Sequence, residues 1–241
     1  PQSRKGRQGI YNYHGNRSRE SLGPENRLKV RFCQEMIAAL DAIRQTLGAY
    51  SDGALITRGN NTKFFCMGLV LEEVSQNSFA NTDGFCPLLH AIMNFPFPMI
   101  ALVTGHIFGA CCPLALANDY RIMNADRGFI SMPPVDLGIH FSGMSVLPKF
   151  KQWPQTVRKM LLEGHKFTGK EALEDGVVDF IASPEQLLDV ALELANKWAP
   201  KARAGVYGLL RSELWGEMNQ RMQQTVIFIV GQLFRSGKPK V

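Results

Sequence analysis

The chain has no apolar run approaching the roughly 20 residues needed to span a bilayer, and no secretory signal is visible. It has no Cys-x-x-Cys pair, and its five cysteines are an odd number. A disulfide framework is therefore not expected, and a reducing compartment is. The histidines (His14, His90, His106, His140 and His165) never stand at ligand spacing from one another or from a cysteine, so no metal is expected. A basic stripe interleaved with aromatics is also missing. The formal charge is +6, but residues 1–31 hold eight Lys or Arg against two acids, which accounts for the whole excess. That describes a solvated basic tail, and no nucleic-acid partner is expected.

What is present is ample material for a core: 241 residues, 45% of them hydrophobic and 20% charged. Residues 1–22 show neither helical nor strand periodicity and read as an irregular N-terminal tail. From Asn26, the stretch NRLKVRFCQEMIAALDAIRQTL places Leu28, Phe32, Met36, Leu40, Ile43 and Leu47 three or four residues apart, which predicts an amphipathic helix. GALIT (53–57) reads as a short buried strand, and KFFCMGLVL (63–71) as a strand running into a glycine turn. FCPLLHAIMNF (85–95) reads as a helix closed by Pro96 and Pro98. MIALVTG (99–105) reads as a fully apolar strand, ACCPLALANDY (110–120) as a buried helix, and YRIMN and GFISM as two more strands. Two capping boxes, Thr168-x-x-Glu171 and Ser183-x-x-Gln186 with Pro184 at the first helical position, predict helix starts. Gly176 stands where the first of those helices should end, and residues from about 200 onward read as helical. Short strands alternating with helices make this an α/β chain. Its expected divisions are the tail 1–22, a core 23–190 and a C-terminal helical region 191–241.

Two strand–turn–helix junctions carry the chemical interest: FFCMGLVLEE and LVTGHIFGACCPLALA. In each, glycine permits a tight turn after which backbone N–H groups are left unpaired. Two such amides aimed at one point would stabilise the negative oxygen of an acyl or enolate intermediate. Taken singly, either junction is an ordinary feature of an α/β protein.

KFFCMGLVLEE, PMIALVTGHIFGACCPLALANDYRI, RGFISMPPVDLGI and KFTGKEALEDGVVD, in that order, resemble the crotonase superfamily, the enoyl-CoA hydratase/isomerase family. The resemblance runs from about Pro24 to beyond Trp198. It is strongest to the peroxisomal-type delta-3,delta-2-enoyl-CoA isomerases through TGH and DRGFISM. It implies a superhelix of ββα repeats with C-terminal helices that trimerise, as a homotrimer or a dimer of trimers. The implied ligand is an acyl-CoA thioester, a substrate rather than a cofactor. By the same resemblance, one oxyanion N–H falls on Leu69 and the other on Ala110. The CoA moiety would wrap the first loop, so Lys63, Phe65, Cys66, Met67, Gly68 and Val70 become candidate substrate contacts. Gly109 of the second turn, Pro134 and Ser142 join them.

The family's two catalytic glutamates fall on Pro113 and Pro134, and a proline side chain carries no proton. Three substitutes stand nearby. Asp136 shares a face with Pro134 if the segment is extended. His140 has a suitable ordinary pKa for a general base. Ser142 could position water. Catalysis by His140 or Asp136 is thus one expectation, and a weakly catalytic acyl-CoA-binding relative the other; a third is an interaction protein using the basic tail. Cys111 and Cys112 read as small core side chains, His106 as structural, and Glu72 and Glu73 as solvent-facing. The family's N-terminal β-hairpin has no counterpart in residues 1–22. The final Pro239-Lys240-Val241 is one conservative step from a peroxisomal import signal, which makes a peroxisomal location one expectation and a cytoplasmic one the other.

Overall fold

The computed structural model describes residues 25–60, 62–77 and 79–224. The basic tail 1–22 and the Pro-Lys-Val end lie outside the described residues. The first helix, α1, spans Val30–Leu47 and turns Cys33 and Leu40 inward. It starts later than its periodicity suggested because residues 25–28 are recruited elsewhere. Asn26 adopts a left-handed φ of 52°, and Leu28 pairs in parallel with Leu69. Glu73, expected to face solvent, instead accepts the Val30 N–H at 3.1 Å and satisfies one open donor of α1.

Two parallel sheets follow from alternate strands. β1 (Leu55–Arg58), β3 (Met99–Val103), β5 (Tyr120–Asn124) and β7 (Phe180–Ala182) form one, in the order β1-β3-β5-β7. β2 (Phe64–Cys66), β4 (His106–Phe108) and β6 (Ile130–Ser131) form the other, in the order β2-β4-β6. Each turn of the chain thus lays one strand in each sheet and closes with a helix. Those helices are α2 (Leu71–Gln76), which precedes α3 (Cys86–Met93), then α4 (Cys111–Leu116) and α5 (Pro134–Leu137). This is the ββα superhelix that the resemblance implied.

β3 is buried along its whole length. Its alternate side chains divide between two cores, Met99, Ala101 and Val103 in the larger and Ile100 and Leu102 in the smaller. That division follows from the two-residue strand period. The smaller core is closed by Leu187, Ala191, Leu194 and Ala195 of a later helix.

Past α6 (Val146–Lys151) and α7 (Pro154–Leu161), α8 spans Gly169–Glu174 and opens with the expected Thr168/Glu171 capping box. The second expected box does not form. Ser183 accepts the Gln186 N–H through its backbone carbonyl, residues 184–186 are a turn, and α9 begins only at Leu187, running to Trp198. A short 3-10 turn leads to α10 (Val206–Leu214), and helical backbone resumes over 216–224. Arg211 anchors this end: its guanidinium pairs with Asp119 at 2.6 Å and donates to the Ile92 carbonyl at 2.7 Å. The strand expected over 63–71 is confined to Phe64–Cys66, since Met67 and Gly68 already belong to a turn.

Candidate functional site

The site is built where β2 and β4 end side by side. Gly68 follows β2 with a φ of 93°, and Gly109 follows β4 with a φ of 54°, conformations open to glycine at little cost. A Cβ on Gly68 would lie 3.3 Å from the Phe108 carbonyl oxygen and 3.9 Å from the Ala110 nitrogen. The two turns therefore touch.

The first turn is held from behind by residues 25–28. The Leu28 N–H donates to the Gly68 carbonyl at 2.8 Å, and the Val70 N–H to the Leu28 carbonyl at 3.1 Å. The Asn26 amide donates to the Phe64 and Phe65 carbonyls, and Arg27 to the Met67 carbonyl at 3.3 Å. In such a parallel bridge the residue between the two bonded ones points its own N–H to the opposite side. That residue is Leu69. Among the described residues, neither the Leu69 N–H nor the Ala110 N–H has a hydrogen-bond acceptor. Both residues line one cavity of about 360 Å³.

Met67, Gly68, Leu69, Gly109, Ala110, Pro134 and Ser142 all line that cavity, and the fold thereby assembles seven of the expected site positions. The other four first-loop candidates, and the two acid–base candidates Asp136 and His140, lie elsewhere. Phe65 and Cys66 are buried in the core. Lys63 is exposed and does not line the cavity, with its ammonium 5.0 Å from the Phe64 ring centroid. Val70 caps α2.

Asp136 does not share a face with Pro134. Residues 134–137 are helical, ended by Gly138 at a φ of 61°, so two residues correspond to a rotation of about 200° instead of one strand repeat. Asp136 is exposed and lies against Gly164, where an added Cβ would come within 2.5 Å of its Oδ2. His140 is exposed and lines a neighbouring shallow depression. That depression shares Ile139 and Phe141 with the cavity.

Pro113 and Pro134 both line the cavity, as do Leu71, Phe85, Leu89 and Leu147. Among the described residues its titratable lining is limited to Arg27 and Cys86. Arg27 is paired with Glu25 at 2.7 Å, and burial pushes the Cys86 thiol up to about 11. The wall is thus mostly apolar, with Arg27, Asn81 and Ser142 as polar side chains, two free amides and, among the described residues, no carboxylate or imidazole. His106 lies outside it, set edge-on against Phe129 at 4.3 Å. Desolvation, with Lys63 and Arg127 nearby, lowers its pKa.

The cysteine expectation changes here. Cys66 and Cys111, 45 residues apart, are joined in a disulfide with a Cα–Cα distance of 5.8 Å. Spacing along the chain held no sign of this; the side-by-side ends of β2 and β4 bring the two residues together. Cys112 is, as expected, a small buried core residue. The holding role of residues 25–28 also escaped the motif reading, although Pro24–Leu28 marked the start of the resemblance.

Comparison with known proteins bears on the family and the fold. The sequence model of the enoyl-CoA hydratase/isomerase family matches residues 22–236. The chain is 32% identical over 203 residues to enoyl-CoA delta isomerase 2, peroxisomal, of Arabidopsis thaliana, covering 78% of this chain and 85% of that one. It is 36% identical over 162 residues to carnitinyl-CoA dehydratase of Salmonella arizonae, covering 65% of this chain and 60% of that one. Its backbone is similar to human mitochondrial delta3-delta2-enoyl-CoA isomerase, with a TM-score of 0.75 at 19% identity over 91% of this chain and 86% of that one.

Proposed function

The chain belongs to the enoyl-CoA hydratase/isomerase family, and from that premise we propose that it binds an acyl-CoA thioester and shifts its double bond through an enolate. The observation that carries this reading is the pair of acceptor-free amides, Leu69 and Ala110, on one apolar cavity. A thioester α-proton leaves only if the charge arriving on the carbonyl oxygen is stabilised. Each well-placed donor typically contributes about 10²–10³ in rate. Leu71, Phe85 and Leu89 offer the acyl chain an apolar wall, and the nucleotide end would lie along the first loop.

Proton transfer is assigned to His140, whose neighbours Ile139 and Phe141 line the cavity. It reaches the α-carbon only if the 138–143 turn moves inward. Asp136 would need a larger rearrangement, because it is turned toward Gly164. A second reading has its own support: prolines stand at both positions that match the family's glutamates, and no carboxylate or imidazole lines the cavity among the described residues. On that reading the protein binds the thioester and turns it over weakly. Conversion of a 3-enoyl-CoA to its 2-enoyl isomer separates the two. Turnover lost in His140→Ala supports the isomerase, whereas binding without turnover in the parent supports the weak relative.

Peroxisomal residence is proposed on the names of the plant relatives. A homotrimer or dimer of trimers is proposed on the family resemblance, with the exposed Leu209, Leu210 and Leu214 of α10 as supporting surface.

A further inference from the structure

The two turns that present the donor amides are also joined covalently. Cys66 ends β2 and Cys111 begins α4. Leu69 lies three residues after the first cysteine, and Ala110 immediately precedes the second. A second tie crosses at the same place, from the Gly68 N–H to Cys111 Sγ at 3.1 Å. The Cα–Cα distance of 5.8 Å falls in the range a disulfide requires. The enolate chemistry uses neither sulfur. Cys33, Cys86 and Cys112 remain thiols, and burial raises the pKa of all three.

We propose that Cys66 and Cys111 are a reversible dithiol–disulfide site that, when closed, fixes the spacing of the Leu69 and Ala110 N–H groups. The use of those amides rests on the proposed function; the chemistry of the sulfur pair does not. The oxidant is of the hydroperoxide class, with hydrogen peroxide small enough to enter the cavity that Gly68 and Ala110 line. One thiolate attacks a peroxide oxygen, the O–O bond breaks, and a sulfenic acid and hydroxide form. The second sulfur attacks the sulfenic sulfur, the S–S bond forms, and the S–O bond breaks. With both thiol protons taken up, two waters leave: two thiols and one peroxide give one disulfide and two waters. A dithiol reductant reverses the reaction by two exchanges and leaves as its own cyclic disulfide.

The test takes the full chain, reduced with dithiothreitol and desalted, with and without hydrogen peroxide. Peptide mapping should yield a Cys66–Cys111-linked peptide after peroxide, with Cys33, Cys86 and Cys112 still open to alkylation once the chain is unfolded. Amide hydrogen exchange over 67–70 and 109–112 should be about tenfold slower in the closed form, as for any tie that suppresses local opening. Cys66→Ser and Cys111→Ser should exchange at the fast rate under both conditions. No linked peptide, or equal exchange in the two forms of the parent chain, overturns the proposal. Acyl-CoA binding measured alongside should be about tenfold tighter in the closed form, because misplaced donors lose their ligand steeply. Absence of binding in both forms counts against the proposed function, while mapping and exchange still decide this site.

Discussion

Replacing Pro134 with glutamate should add a base on the wall of the cavity itself, where the parent relies on His140 outside it, and so speed removal of the thioester α-proton. Pro134 is half-buried and opens the short helix α5 on the wall of the cavity that Leu69 and Ala110 share. The cavity holds about 360 Å³, so a glutamate side chain can enter it without displacing the wall. Its apolar lining would raise the carboxyl pKa toward the working pH, where a general base is most effective. A positioned base typically contributes about 10²–10⁴ in rate, or about 3–5 kcal/mol of barrier. Loss of the proline's restriction on the unfolded chain should cost about 0.4–1 kcal/mol of stability, small enough to leave the fold intact. The assay is the appearance of the conjugated thioester from a 3-enoyl-CoA, followed by absorbance in parent and Pro134→Glu proteins at several pH values. The reasoning is refuted if the variant binds the thioester as the parent does yet converts it no faster, because the α-carbon would then lie elsewhere.

Other expectations follow from the same contacts. Gly68→Ala should lose about 1–2 kcal/mol of stability, since its φ of 93° is strained for a residue with a Cβ; chemical denaturation measures this. Glu73→Ala should lower stability by about 0.5–2 kcal/mol, by analogy with a lost helix cap at Val30, and thermal unfolding would show it. Burial, together with Arg121, depresses the Lys151 ammonium to about 7, against the pull of Asp119, although the Trp215 ring 3.5 Å away favours the charged form. Between about pH 7 and 10.5 the unfolded chain then binds more protons than the folded one, so stability rises with pH across that window. Lys151→Met should flatten the rise in pH-dependent melting.

The parts of this molecule written in local pattern were readable in advance. The glycine turns at Gly68 and Gly109, the apolar strand Met99–Val103 and the Thr168/Glu171 cap each need only a few neighbouring residues to specify them. What escaped depended on contacts far apart in the chain or on segments too short to show a period. Four residues, 134–137, are enough to turn Asp136 away from Pro134 but too few to reveal a helical repeat. The Glu73 cap on Val30 and the Cys66–Cys111 bond both join residues more than forty positions apart, and only the winding of alternate strands into two sheets brings them together. Ser183 carried a valid capping pattern, yet its carbonyl is used in a turn and the helix starts later.

The central claim is that two backbone amides at one point stabilise a thioester enolate, and hydrogen–deuterium exchange at the α-carbon of bound acyl-CoA tests it most directly. Mass spectrometry should show exchange above the uncatalysed rate in the parent protein and a fall of about 10²–10³ in Leu69→Pro, which deletes one donor. Tight binding with no exchange above background, or an unchanged rate in Leu69→Pro, would contradict the account.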